Sequence, residues 1–340
     1  MSNNYIVACK YNYSNEKIIN FMNALIFSLN ATIPVFLVIL LGGLLQRIGL
    51  FPRSICSAID KYVFRIALPF MLFQDISSMD LQTDADPAFA LFCALGTCVM
   101  FLGTWGMTVL LCRDKKIRGA FVQASARGSA AILGIAFVNN IYGNSGYAPF
   151  MIMCAVPLFN IFSVIILTIH ARESTEETAK SQGLLLKKTL RGIITNPIIL
   201  GILAGVPFAL LHLELPQILL SAVSSVGKTA TPMALLSIGA AFEGKKALTK
   251  IRPTILASAM KLCILPALFL PVAIWSGFRG SELVAVLVMT GSPTTISCYI
   301  MAKNMGNDAE LTASIVVATT LISSLTLTLW IFLLRSLGMI

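Results

Sequence analysis

Charge is scarce in this sequence. Aspartate, glutamate, lysine and arginine make up 12% of its 340 residues, about half of the roughly 25% usual in a soluble domain. So few charges cannot furnish a water-facing shell, which excludes an ordinary soluble enzyme. Histidine is rarer still, with one at 170 and one at 212, both at the ends of apolar runs. The eight cysteines, at 9, 56, 93, 98, 112, 154, 263 and 298, include no C-x-x-C pair. They read as small core residues, not as ligands or a disulfide framework. No metal-ligating or nucleophile–base cluster is visible, so neither a metal, a cofactor nor catalysis is expected. Residues 1–17 are polar and lack the charged-then-apolar order of a cleaved signal.

Apolar residues fill the space that charge leaves. They form 57% of the chain, and the mean hydropathy is +0.85. Windows of 18 or more apolar residues recur, each long enough to cross the ~30 Å of hydrocarbon in a bilayer. The sequence predicts an all-α polytopic membrane protein of ten spans. They lie near 22–46, 55–77, 88–111, 119–142 and 147–169, then 193–211, 217–241, 254–277, 281–304 and 310–334. Residues 1–21 form a polar extension and 170–192 a hydrophilic linker between the five-span halves 22–169 and 193–340.

The net charge of +10 is distributed as a membrane protein's would be, not as a nucleic-acid surface. Arg47, Arg53, Arg113, Lys115, Lys116, Arg118, the basic residues of the 170–192 linker, Lys245, Lys246, Lys250, Arg252 and Lys303 all fall on one side of the spans. The other side holds Lys10, Lys17, Arg279 and Arg335, and its loop QDISSMDLQTDADP (74–87) is acidic. The positive-inside rule then places the linker in the cytoplasm and both termini outside.

A fixed offset of 163 residues relates the two halves without a gap. Pro34 maps to Pro197, Gly42 to Gly205, Pro69 to Pro232, Gly128 to Gly291, Ser129 to Ser292, Gly143 to Gly306 and Asn144 to Asn307. Prolines and glycines recurring at one offset are far less expected than matching leucines. Five spans is an odd number, so the second copy enters the membrane upside down. Inverted repeats are typical of secondary transporters, with the site at the repeat interface.

Span 9 contains GSPTTIS (291–297). Gly291 and Pro293 break a helix, and irregular backbone at membrane depth is tolerated only in protein or beside a water-filled cavity. A half-helix restarting there offers free N–H groups and a positive dipole end. Ser292, Thr294 and Thr295 add hydroxyls. The repeat mate GSAAILG (128–134) has breakers at Gly128 and Gly134 but no proline, and Arg127 precedes it. Arg127 either faces a cavity and holds an anion, or snorkels or pairs with a carbonyl freed by the broken helix. The repeat mates Arg65 and Lys228 are a secondary candidate pair, with an aqueous surface as the simpler destination. Lys261 is expected to snorkel to the cytoplasm, and no acid is expected deep in a span with a clear partner.

The stretches NPIILGILAGVPF (196–208), TPMALLSIGA (231–240), ARGSAAILGIAFVNNIYG (126–143) and GSPTTISCYIMAKNMGNDAELTASIVVATTLISSLTLTLW (291–330) resemble the auxin efflux carrier family. That family includes plant auxin exporters and bacterial dicarboxylate permeases. The resemblance implies two inverted five-helix repeats with broken, crossing helices 4 and 9. It also implies a scaffold of helices 1, 2, 6 and 7, a mobile unit of helices 3–5 and 8–10, and a homodimer held through the scaffold. Substrates would be small organic anions of the malate or malonate type, moved by an elevator motion and coupled to H+ or Na+. Ser129 stands where the family has asparagine, and Ala136 where it has a proline. The short central linker is nearer a bacterial permease than a plant exporter, which implies a bacterial inner membrane. Two other readings stay open: a sodium-coupled carrier of larger amphipathic acids, as in the distantly similar bile-acid carriers, and a non-transporting membrane sensor.

Overall fold

The structure is a computed structural model that describes residues 22, 26, 29–30, 33–78, 86–130, 137–139, 141–144, 146–173, 191–211, 213–241 and 249–340. Gly134, Ala136, residues 1–21 and most of the 170–192 linker lie outside the described residues. Among the described residues every element is helical, and the only β-type pairing is an isolated bridge between Gly128 and Thr294.

The first half contains α1 (Ile33–Arg47), α2 (Arg53–Tyr62), α3 (Leu68–Ser77), α4 (Pro87–Leu111), α5 (Lys115–Ala126) and α6 (Ala148–Glu173). The second contains α7 (Pro197–Leu211), α8 (Gln217–Gly227), α9 (Ala230–Ala241), α10 (Ile251–Ala259), α11 (Leu265–Trp275), α12 (Ser281–Gly291), α13 (Ser297–Asn304) and α14 (Ala309–Ser336). Among the described residues, five apolar helical stretches are long enough to cross a membrane: Pro87–Leu111, Ala148–Ala171, Gln217–Ala241, Ile251–Trp275 and Ala309–Ser336. Their outer faces carry bare apolar side chains such as Leu110, Ile218 and Trp275. Water would penalise that surface and lipid would not.

Local chemistry sets the helix ends. Asp86, Asp114 and Asp308 cap α4, α5 and α14, each accepting a first-turn amide at 2.9–3.0 Å. Asp308 also pairs with Lys250. Single π-helical turns, Val63–Ala67 and Met260–Ile264, join α2 to α3 and α10 to α11. A proline follows each by two residues. Pro266 has no N–H to give the carbonyl of Leu262, and the indole N–H of Trp330 donates to that oxygen at 3.0 Å.

Two large apolar cores form. One gathers Phe89, Phe101, Val122, Phe159, Leu287 and Leu327 and their neighbours from α4–α6, α11, α12 and α14. The other gathers Ile39, Phe64, Leu72, Ile198 and Ile238 from α1–α3, α7 and α9, together with Val164 and the α13 run Tyr299–Ala302. Between α1 and α9 the backbones touch directly. A Cβ on Gly42 would overlap the Leu236 carbonyl, and one on Gly239 would overlap that of Ile39.

Candidate functional site

Two helices stop in the same place. The α5 helix ends at Ala126, after which Arg127 is extended (φ −82°, ψ 119°), and α12 ends at Gly291, after which Ser292 is extended (φ −67°, ψ 152°). Helix resumes at Ala130 and Ser297. Between these ends the two strands run antiparallel, bridged at Gly128 and Thr294, and the Ser129 amide donates to the Pro293 carbonyl at 2.8 Å. Span 4 thus breaks without a proline, because its extended backbone is held by bonds to span 9. Gly291 lies against Pro266, where a Cβ would come within 2.7 Å of the ring.

Carbonyls in the last turn of α5 find partners at the break. Gln123 O accepts from the Arg127 amide, Ala124 O from the Thr294 hydroxyl at 2.7 Å, and Ala126 O from the Lys261 ammonium at 3.0 Å. The same ammonium donates to Met289 O of α12 at 3.3 Å. Lys261 is fully buried. The expectation that it snorkels to the cytoplasm is therefore corrected, because its π turn aims the side chain inward at two helix ends.

Beside the broken segments lies a cavity of about 180 Å³. Arg127, Gly128, Ser129, Thr295 and Ser297 line one side, while Met71, Leu72 and Asp75 of α3 and Val156 and Phe159 of α6 line the rest. The Arg127 guanidinium is 5% exposed. It donates to Asn160 Oδ1 at 2.7 Å and to Met301 Sδ at 2.8 Å. Asn160 in turn donates to Val156 O at 2.9 Å. An arginine has five N–H donors and no acceptor, so two neutral contacts position the head without neutralising it. Among the described residues no carboxylate forms an ion pair with Arg127.

The sequence-predicted residues divide by position. Arg127, Gly128, Ser129 and Thr295 line the cavity, and the Thr295 hydroxyl lies 3.3 Å from that of Ser297. Thr294 is buried, its amide donating to Thr319 Oγ1 at 3.1 Å and its hydroxyl to Ala124 O. Ser292 is buried beneath Gly128, and its Oγ has no hydrogen-bond partner among the described residues. Arg65 and Lys228 are exposed and outside the cavity lining.

Three features were not anticipated. Asn160 looked like one polar residue in an apolar run, and Asp75 like part of an acidic loop. Asp60, near the start of the span expected at 55–77, has partners that its sequence neighbourhood does not show. It is 2% exposed, accepts from the Ser237 hydroxyl at 2.5 Å and pairs with Lys303. The signal available was the identity of these residues; their partners are distant in sequence.

The model of the family described as "Membrane transport protein" matches residues 27–331. The chain is similar to an uncharacterized transporter of Methanocaldococcus jannaschii, 22% identical over 87% of this chain and 95% of that protein. It is 23% identical to a Rhizobium meliloti protein named "Putative malonate transporter", over 89% of this chain and 95% of that one. A third relative, "Probable auxin efflux carrier component 5a" of Oryza sativa subsp. japonica, is 20% identical over 86% of this chain and 93% of its own length. A match across nearly the whole chain, over apolar helices suited to a bilayer, makes this a multi-pass membrane transporter and not an enzyme, and it belongs to the membrane transport protein family that includes the auxin efflux carriers.

Proposed function

We propose that this chain is a secondary transporter for a small organic dianion of the malonate or malate type, working by elevator-type alternating access. The observation that carries the reading is Arg127, a buried guanidinium with no carboxylate partner among the described residues, in the wall of a 180 Å³ cavity beside two broken helices. A guanidinium binds carboxylates through paired, charge-assisted hydrogen bonds. Ser129 and Thr295 add polar contacts. The name of the Rhizobium meliloti relative points to the same substrate class.

Size argues against the larger amphipathic acids. The cavity, of about 180 Å³, is below the roughly 300–1,000 Å³ of pockets for drug-sized ligands. A three- or four-carbon diacid suits it better. The proton is our choice of coupling ion, because Asp75 faces the same cavity as Arg127. A carboxylate beside a bound anion is repelled unless it takes up a proton.

Ten spans in two inverted repeats remain our reading of the architecture, and several 163-offset pairs support it. Gly143 and Gly306 both adopt positive φ, 74° and 70°. Gly42 faces the backbone of Leu236, and its mate Gly205 faces that of Phe73, the mate of Leu236. A scaffold of α1–α3 and α7–α9 beside a mobile unit of α4–α6 and α10–α14 is part of the same reading; one apolar core lies within the mobile unit, and the other joins α1, α3, α7 and α9 of the scaffold to α6, α13 and α14. A homodimer through the scaffold and a bacterial inner membrane with both termini outside complete the proposal.

The test is uptake of labelled malonate, malate and a bile acid into proteoliposomes, with and without proton and sodium gradients. Uptake of a diacid driven by the proton gradient supports the reading. Binding without flux would make the protein a sensor, and sodium-driven uptake of the bile acid would favour the larger-acid carrier.

A further inference from the structure

The buried Lys261 ammonium has an unusual set of partners. Its two recorded acceptors are the carbonyls of Ala126 and Met289, which are mates under the 163-residue offset. Each belongs to the last turn of a half-helix, α5 or α12, where carbonyls lose their intrahelical donors and the dipole end is negative. No carboxylate among the described residues pairs with Lys261. A third oxygen is close by, because a Cβ on Gly128 would overlap Ser292 Oγ and come within 2.8 Å of Lys261 Nζ. That hydroxyl has no partner among the described residues. A side chain at 128 would press on both the Ser292 hydroxyl and the ammonium, which accounts for the glycine.

Two backbone carbonyls from opposed half-helix ends converge on one buried cation, and carbonyls so placed are the oxygen ligands that replace the hydration shell of a small monovalent cation. Burying a lysine at membrane depth costs roughly 2.5–3.5 kcal/mol on insertion scales, so a simple space-filling role would be served better by methionine. We infer that Lys261 is a tethered cation occupying what would otherwise be a monovalent-cation site between the two half-helix ends. Its charge holds those ends together, so the break needs no inorganic cation, and removing the side chain opens a sodium site. This inference rests on the Lys261 contacts and is independent of the substrate.

Thermal unfolding of the purified full chain, without substrate, tests it in sodium chloride and in choline chloride at equal ionic strength. The wild type should unfold at the same midpoint in both. Lys261→Ala should unfold lower in choline and recover saturably with sodium, by about 2 °C or more. Lys261→Gln keeps donors for the carbonyls but carries no charge, and should unfold below the wild type in both salts. A saturable sodium response in the wild type overturns the inference, as does a folded alanine variant indifferent to sodium. If the alanine variant folds in neither salt, the glutamine variant decides: a wild-type midpoint would reduce Lys261 to a hydrogen-bond donor.

Discussion

Asp60 of α2 and Lys303 of α13 form an ion pair of 2.5 Å between the proposed scaffold and the proposed mobile unit. The carboxylate is almost fully buried and the lysine about one-third exposed. Ser237 of α9 donates to the other carboxylate oxygen, and Lys303 also donates to the Tyr299 hydroxyl at 2.9 Å. Deleting Lys303 therefore strands a buried carboxylate, whereas deleting the acid leaves a lysine that water still reaches. Lys303→Met should lower the thermal midpoint more than Asp60→Asn does. The double variant should recover part of the lysine loss, with a coupling of about 1 kcal/mol given the exposure of Lys303. Simple addition of the two losses in a double-mutant cycle would count against the pair.

Arg127 is the group expected to meet the substrate. Arg127→Ala removes the charge from the cavity and leaves Asn160 Oδ1 without the donor it has at 2.7 Å. Loss of one partner of a buried charged pair costs about 2–5 kcal/mol, so malonate uptake should fall at least tenfold. Arg127→Lys keeps the charge but not the fork that reaches both Asn160 and Met301, and should recover only part of the activity. The check is proteoliposome uptake normalised to inserted protein. Wild-type uptake by the alanine variant would remove Arg127 from the site.

How far the sequence disclosed this site depends on how local each cause is. The apolar runs, the breakers Gly291 and Pro293 and the 163-residue offset are written in consecutive residues, so the helical class and the position of the span 9 break were legible. The span 4 break was legible only through its mate. Arg127–Ser129 lack a proline and are held open by Pro293 O, a contact made in three dimensions. For the same reason the Thr294 hydroxyl, expected at the site, is taken up by Ala124 O. No periodicity announces that Lys261 reaches Ala126, or Asp60 reaches Ser237. Residues in membrane helices choose partners through helix–helix packing, and the sequence states which residues are polar without stating whom they face.

Asp75 and Arg127 share one cavity, and that sets a pH dependence. With an anion bound, an ionised Asp75 adds like-charge repulsion across a cavity of about 180 Å³. Uptake of the dianion should then increase as the external pH falls. Asp75→Asn removes the charge and the exchangeable proton together. Its apparent affinity for malonate should be higher than that of the wild type, by about tenfold for 1.4 kcal/mol of relieved repulsion. Its uptake should respond little to pH and to a proton gradient. A wild-type pH profile in this variant would move proton coupling elsewhere.

The backbones of α1 and α9 are in close contact in the proposed scaffold. A Cβ on Gly42 would overlap the carbonyl of Leu236, and one on Gly239 the carbonyl of Ile39. The atoms in the way are backbone, so no rotamer change can relieve them and the helices must separate. Small residues that allow such approach are the usual basis of helix association in lipid, where apolar burial gives no net drive. Gly42→Ala and Gly239→Ala should each destabilise by about 1–3 kcal/mol. Once the first methyl has parted the helices, the second meets less resistance, so the double variant should lose clearly less than the sum. Gly205→Ala should behave like Gly42→Ala, since its Cβ would lie 2.9 Å from the Phe73 carbonyl in the corresponding contact. Thermal midpoints of the four variants measure this. Additive losses at 42 and 239 would mean that the two glycines do not share one interface, and tolerance at 205 would weaken the case for a repeated scaffold.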